Sequence, residues 1–256
     1  MASAVNNKKI KMLLTYNTGD NDYTSFSNVP LYQVYQPAGA NTCGFSALIY
    51  VLKTLGLLPK SWDAPSEDDV LMNVVKDALS CSVTHMGEVF CPETFLQFIK
   101  SNVPALEHKC SIQNWASSYT KGGEDWEQTI ARSMMHIINK EGMVMVPFNV
   151  HRNGQPSPVP LEGKAHWCVV VGYGVGTPSG ISFLVKQAGG EYRVDAFDLI
   201  HSNAYMGHYP LNSDGTHMKE NFKTSLPNGF HVEYCFTKNE AEEVMLLNKK
   251  MIYFLP

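Results

Sequence analysis

The chain is predicted to fold as an α+β protein, and three observations carry that expectation. Segments with apolar residues every three to four positions dominate before about residue 141, and runs rich in Val, Ile, Phe and Tyr dominate after it. The 256 residues hold no obvious linker, repeat or low-complexity stretch, and 44% of them are hydrophobic, enough for one sizeable core. A cysteine, Cys43, stands where the first strongly periodic helix begins. The expected division is one domain over 1–256, with a helical part over about 37–141 and a sheet part over about 142–256.

Lys8 to Tyr16 reads as an apolar strand, and Val29 to Tyr35 leads into the Pro/Gly-rich loop that starts at Gln36. Thr42 is a candidate N-cap for a helix in which Phe45, Leu48, Ile49, Leu52 and Leu55 share a face; Gly56 and Pro59 stop it near Leu57. Helices follow at Glu67 to Leu79 and at Pro92 to Asn102, where Pro92 fits the first helical position. Asp125 to Glu141 is amphipathic, with Trp126, Ile130, Met134 and Ile137 on one face and Gly142 as its stop. Strands are expected at Met143 to Val150, Trp167 to Tyr173, Ile181 to Gln187 and Glu191 to Val194. A short helix at Ala196 to Asn203 and strands near Phe230 to Phe236 and Met251 to Leu255 complete the chain.

The net charge of −4 and pI near 6.1 argue against a generic nucleic-acid binder. No run of ~18 apolar residues suggests a membrane span, and the polar start lacks the apolar core of a signal peptide. The six cysteines (43, 81, 91, 110, 168 and 235) include no C-x-x-C pair, which points to free thiols and a cytoplasmic setting. No cofactor is expected. Cys81 and His85, with Cys91 and Cys110, have the makings of a metal half-site, but no compact second pair follows, so no metal is expected either.

Cys43 in the first turn of a helix lies at the positive end of the helix dipole, which favours a thiolate. A cysteine nucleophile needs a base, and the base needs an orienting group. His166 opens the strand-like run Trp167 to Tyr173, so it should stand at a sheet edge where it can face a helix N-terminus. Gln187, 21 positions later, ends a neighbouring strand with an amide that can accept an imidazole N–H; Asp195 and Asp198 are rivals for that role. Gln36, seven positions before Cys43, supplies a side-chain amide that could help hold an oxyanion.

The order Gln, Cys, His, amide resembles that of papain-like and C39-like cysteine peptidases. Thr42-Cys43-Gly44, Gly87-Glu88-Val89-Phe90, Lys164-Ala165-His166-Trp167, and Leu184-Val185-Lys186-Gln187 running on through Tyr192, Asp195 and Asp198 to Ser202-Asn203, are together similar to the actin maturation protease family, in that family's order. The resemblance implies a papain-like fold: a helical half carrying Cys43 and a twisted antiparallel sheet carrying His166 and Gln187. It also implies Cys43 as nucleophile and the N-terminus of immature actin as protein substrate, losing its N-acetylated first Met or Cys. That substrate continues in a short acidic run, so cations are expected beside Cys43, with Lys164, Lys186, Arg193 and Arg152 as candidates. The same Cys–His frame also serves thiol acyltransferases, deamidases and other amidases, including secreted effectors, and a non-catalytic binding module could retain it. The family motifs are not matched beyond about Asn212.

Overall fold

A computed structural model of the chain describes residues 34–37, 41–84, 89, 91–115, 126–150, 155–157, 165–177, 180–187, 189–206, 222–225, 231–234 and 247–256. The strand expected at Lys8 to Tyr16 lies outside these residues, as do His85, Arg152, Lys164 and Cys235.

Three helices come first: α1 (Cys43–Leu55), α2 (Glu67–Ser80) and α3 (Pro92–Asn102), the last running into a 3₁₀ turn at Pro104–Leu106. Then come β1 (Cys110–Asn114), α4 (Trp126–Asn139), β2 (Met143–Asn149), β3 (Ala165–Thr177), β4 (Gly180–Gln187), β5 (Gly190–Asp195) and α5 (Ala196–Ala204). A small hairpin pairs β6 (Phe222–Ser225) with β7 (His231–Tyr234), and β8 (Lys250–Phe254) closes the chain.

Strands β1-β8-β2-β3-β4-β5, in that spatial order, form one antiparallel sheet. Strand β1 was not expected, and it falls within the part read as helical. Its sequence, Cys-Ser-Ile-Gln-Asn, carries too little alternation to announce a strand. What makes it one is the ladder to β8, from Cys110↔Phe254 to Asn114↔Lys250, whose partner lies far along the chain.

Alternation divides the core between the two faces of this sheet. On one face Met143, Met145, Trp167, Val169 and Val171 meet α1, α2 and α3. On the other Val144, Val146, Phe148, Cys168 and Val170 meet α4 and α5. Helix α1 is buried all round from Cys43 to Leu52, which makes it the central helix of the first layer rather than a surface one. Phe45 stands edge-on to Phe95 and Phe98, with centroids 5.4 and 6.4 Å away. Truncating it to Ala would cost about 3–5 kcal/mol. Gly56, at φ +69°, ends α1 in the left-handed region, and the Leu57 N–H reaches back to the Leu52 carbonyl at 2.8 Å. Among the described residues no helix is long and apolar enough to cross a membrane.

Candidate active site

Cys43 is the first residue of α1 and is 5% exposed. The Thr42 carbonyl accepts the first helical bond, from Ser46 N–H at 2.8 Å, so Thr42 does hold the N-cap position. Its side chain makes no capping bond, however, and its buried hydroxyl has no hydrogen-bond partner. Compare α2, where the Ser66 hydroxyl accepts from Asp69 N–H at 3.1 Å. The first-turn amides of α1 are therefore not satisfied from Thr42, which suits an N-terminus that serves a ligand.

The start of α1 is pressed onto β3. A Cβ at Gly44 would stand 2.8 Å from Val89 Cγ2 and 3.3 Å from Trp167 Cδ1, so only glycine lets the helix come this close. The Trp167 indole N–H donates to the Val89 carbonyl at 3.3 Å and fixes the same junction from the other side. Trp167 directly follows His166, so the cysteine's helix seats against the strand end that carries the histidine.

His166 stands where β3 reaches past β4. Its β2 flank is paired, Phe148↔His166, whereas pairing with β4 begins only at Val169↔Lys186. By alternation His166 shares a strand face with Cys168 on the α5 side, and its ring lies edge-on to Phe148 at 5.7 Å between centroids. Cys43 belongs to the core of the opposite face. Cys43 is near enough to Cys168 to add to the upward push that burial gives that thiol. Burial is the larger cause of that push, and it makes Cys168 an inert core thiol.

Gln187 ends β4 and is 2% exposed. Extending the β3–β4 register by one residue sets it beside Cys168, diagonal to His166 and on the same face. Gln187↔Gly190 closes a tight turn in which Gly189 has φ +76°. The Gly189 N–H donates to the Val34 carbonyl at 2.6 Å. This bond ties the segment carrying half-buried Gln36 to the turn that follows Gln187. Two tethers, Gly44 on Trp167 and Gly189 on Val34, thus gather the ends of four segments at one rim of the sheet.

The rival carboxylates stand elsewhere. Asp195 pairs with Ser182, five residues and roughly 17 Å along the sheet from Gln187. Its Oδ1 accepts from the Phe197 and Asp198 amides at 2.8 and 3.2 Å as the N-cap of α5. Asp198 is exposed in the first turn of α5, its carboxyl raised by partial burial and by Asp195. Of the candidate cations, Lys186 is buried and ion-paired with Glu191 across the β4–β5 ladder, so its charge is already offset. The Arg193 Nε donates to the Ser182 hydroxyl at 3.0 Å, again at the far end of β4.

The Ser202-Asn203 pair has a structural duty that sequence does not reveal. The Ser202 hydroxyl donates to the Asn149 carbonyl at 2.7 Å, and Asn203 Nδ2 reaches the carbonyls of Pro147, Lys250 and Leu247 at 2.7, 3.2 and 3.3 Å. These bonds latch α5 to the end of β2 that pairs with Trp167 and His166. Asn203→Leu leaves buried carbonyls without their donor at about 1–3 kcal/mol for an unsatisfied group. A denaturant midpoint lowered with unchanged m value is the expected outcome; an unchanged midpoint would show the latch to be dispensable.

Burial lowers the His166 imidazole from the ordinary 6.5 to about 4. The ring is therefore neutral at pH 7, a waiting base rather than half of a standing ion pair. As pH falls, the unfolded chain takes this proton first. Folded stability from this site is full above about 6.5 and is lost as pH drops through about 4. The melting temperature should fall over that window, and His166→Gln should flatten the decline. An identical decline in the variant would show that His166 is not the group responsible.

The five described cysteines are free thiols. Cys81 follows the end of α2, Cys91 precedes α3 and Cys110 opens β1, where burial raises its thiol to about 11. Among the described residues no three His, Cys, Asp or Glu converge as metal ligands.

A family model described as actin maturation protease-like, C-terminal domain, matches residues 33–174, more than half of the chain. That stretch holds Gln36, Cys43 and His166 and stops before Gln187. No curated protein and no solved structure matches.

Proposed function

The chain belongs to the actin maturation protease-like family, and on that premise we propose that it is a cysteine aminopeptidase removing the N-acetylated first Met or Cys from immature actin. The observation that carries this reading is the close seating of the Cys43 helix on Trp167, the residue next to His166.

Neutral His166 takes the Cys43 proton as the sulfur attacks the carbonyl of the acetylated first residue. The Gln36 side-chain amide and the first-turn N–H of α1 hold the oxyanion, an arrangement in which each donor is typically worth ~10²–10³ in kcat. On substrate binding the Gln187 amide oxygen, which makes no such bond in the resting structure, would accept the far N–H of the imidazole and fix its tautomer. His166 then protonates the leaving amine, which departs as the shortened actin chain. Water, deprotonated by His166, attacks the thioester and releases the acetylated amino acid. Gln187 is favoured over Asp195, which pairs at the other end of β4 and caps α5, and over Asp198, which is exposed in the first turn of that helix. Cytoplasmic action and a papain-like ancestry complete the reading.

Incubation with an acetylated actin N-terminal peptide, followed by mass spectrometry, tests it. The expected product is the peptide shortened by its acetylated first residue. An untouched peptide, together with hydrolysis or acyl transfer on another amide through Cys43, would replace the aminopeptidase with an acyltransferase, deamidase or other amidase.

A further inference from the structure

Gln36 stands seven positions before Cys43, in a segment that is neither helix nor strand. Packing alone does not fix that segment against the cysteine's helix. Val34, Tyr35 and Gln36 line a cavity of about 290 Å³ together with Ile49 and Lys53 of α1. Across such a gap the van der Waals contacts of a close-packed interior are not made, so directional bonds must hold the segment in place. The Gly189 N–H, donating to the Val34 carbonyl at 2.6 Å, is one of them. The Tyr35 hydroxyl supplies another by donating to Asp68 Oδ1, 33 residues along the chain.

The neighbours of Asp68 show what this second bond joins. Glu67, Asp68 and Asp69 form the acidic first turn of α2. Glu67 Oε1 takes the Lys53 ammonium of α1 at 2.5 Å, and Asp69 Oδ2 accepts from the Ser66 hydroxyl of its own cap at 2.6 Å. Asp68 reaches instead to Tyr35. Through adjacent residues the start of α2 thus grips both the helix of Cys43 and the segment of Gln36. Tyr35 is 36% exposed, so burial supplies little of its hold. The hydrogen bond to Asp68, more than partial burial or the Asp68 and Glu67 charges, pushes its hydroxyl up to about 12. The hydroxyl therefore remains a donor across the whole neutral range.

We propose that Tyr35 is a positioning residue: its hydroxyl, held by Asp68, keeps Gln36 in place beside the start of α1. Tyr35 acts through the residue that follows it. The inference rests on the reading of Gln36 as an oxyanion donor and adds to it the tether that sets the donor's position.

The test assays the full chain on the acetylated actin N-terminal peptide and follows hydrogen exchange at the Gly189 amide by NMR in the same proteins. Tyr35→Phe should lower kcat about tenfold with KM little changed, part of the ~10²–10³ that complete loss of such a donor costs. It should also speed Gly189 exchange about tenfold, because the segment that accepts this amide opens more often. Asp68→Ala should match it, and the two changes together should be no worse than either alone. Asp68→Asn keeps an acceptor oxygen and should restore most of the activity that Asp68→Ala loses. In a Gln36→Ala background Tyr35→Phe should lower kcat no further, an outcome that a merely stabilising hydroxyl would not give. Unchanged kcat or unchanged exchange in Tyr35→Phe, or a full effect without Gln36, would overturn the proposal. If wild type cleaves no peptide while Gly189 exchange responds to Tyr35 and Asp68 as expected, the peptidase reading fails and the tether stands. If the peptide is cleaved and neither residue affects kcat or exchange, the reverse holds.

Discussion

Cys43→Ser should abolish turnover, by roughly 10⁴-fold or more, while the melting temperature stays within a few degrees of wild type. The exchange alters one buried atom in a site that a hydroxyl fits, so the fold has little to lose. The chemistry loses much more. A neutral His166 with its basicity lowered by burial can take a proton from a thiol far more readily than from an alcohol. Cys168→Ala is the matched control. That thiol lies two residues from His166 on the same strand face, but burial holds it protonated, so its loss should cost stability and leave the chemical step intact. More than a few per cent residual activity in Cys43→Ser, or abolition in a folded Cys168→Ala, would move the nucleophile.

The second large effect belongs to a residue without a functional group. Gly44→Ala should lower kcat/KM by about 10²-fold with only a small change in stability. The new Cβ would meet Val89 Cγ2 at 2.8 Å and Trp167 Cδ1 at 3.3 Å, so α1 must back away from β3. In a helix Ala is favoured over Gly by ~1 kcal/mol, which offsets much of the ~1–3 kcal/mol that overpacking costs. Activity has no such offset, because a displacement of about 1 Å between nucleophile and base can cost 10²-fold. Trimming the obstacle checks the cause: Gly44→Ala with Val89→Ala should recover part of the lost activity. No recovery, or no loss in the single variant, would remove the helix–strand contact from the account.

Helix α3 begins where it is expected, because the fixed φ of Pro92 and its missing N–H suit the first helical position. Helix α1 stops at Leu55 under the control of Gly56, within two residues of expectation. The β3 and β4 strands were legible from their Val, Ile and Phe content, and so was the order of Gln36, Cys43, His166 and Gln187. What stayed hidden depends on pairing across the chain. Strand β1 exists because β8 lies beside it. The lowered basicity of His166 follows from burial on a strand paired with Phe148, 18 residues upstream, which the order of Cys and His along the chain does not show. The place of Asp195 at the far end of β4 from Gln187 also follows from the β4–β5 register, which spacing along the chain does not show.

The central claim is that Cys43, His166, Gln187 and Gln36 act on one acyl group at the sheet rim. Its most direct test is a crystal structure of the protein soaked with N-acetylmethioninal, an aldehyde that a catalytic thiol captures as a thiohemiacetal. The account predicts a bond from Cys43 Sγ to the aldehyde carbon, its oxygen within about 3.2 Å of the Gln36 side-chain nitrogen, and a His166 ring nitrogen within about 4.5 Å of the sulfur, allowing for a loose contact. The Gln187 oxygen should accept from the other ring nitrogen. Capture by a different cysteine, or a Cys43 adduct served by another base while His166 remains against Phe148, would contradict it.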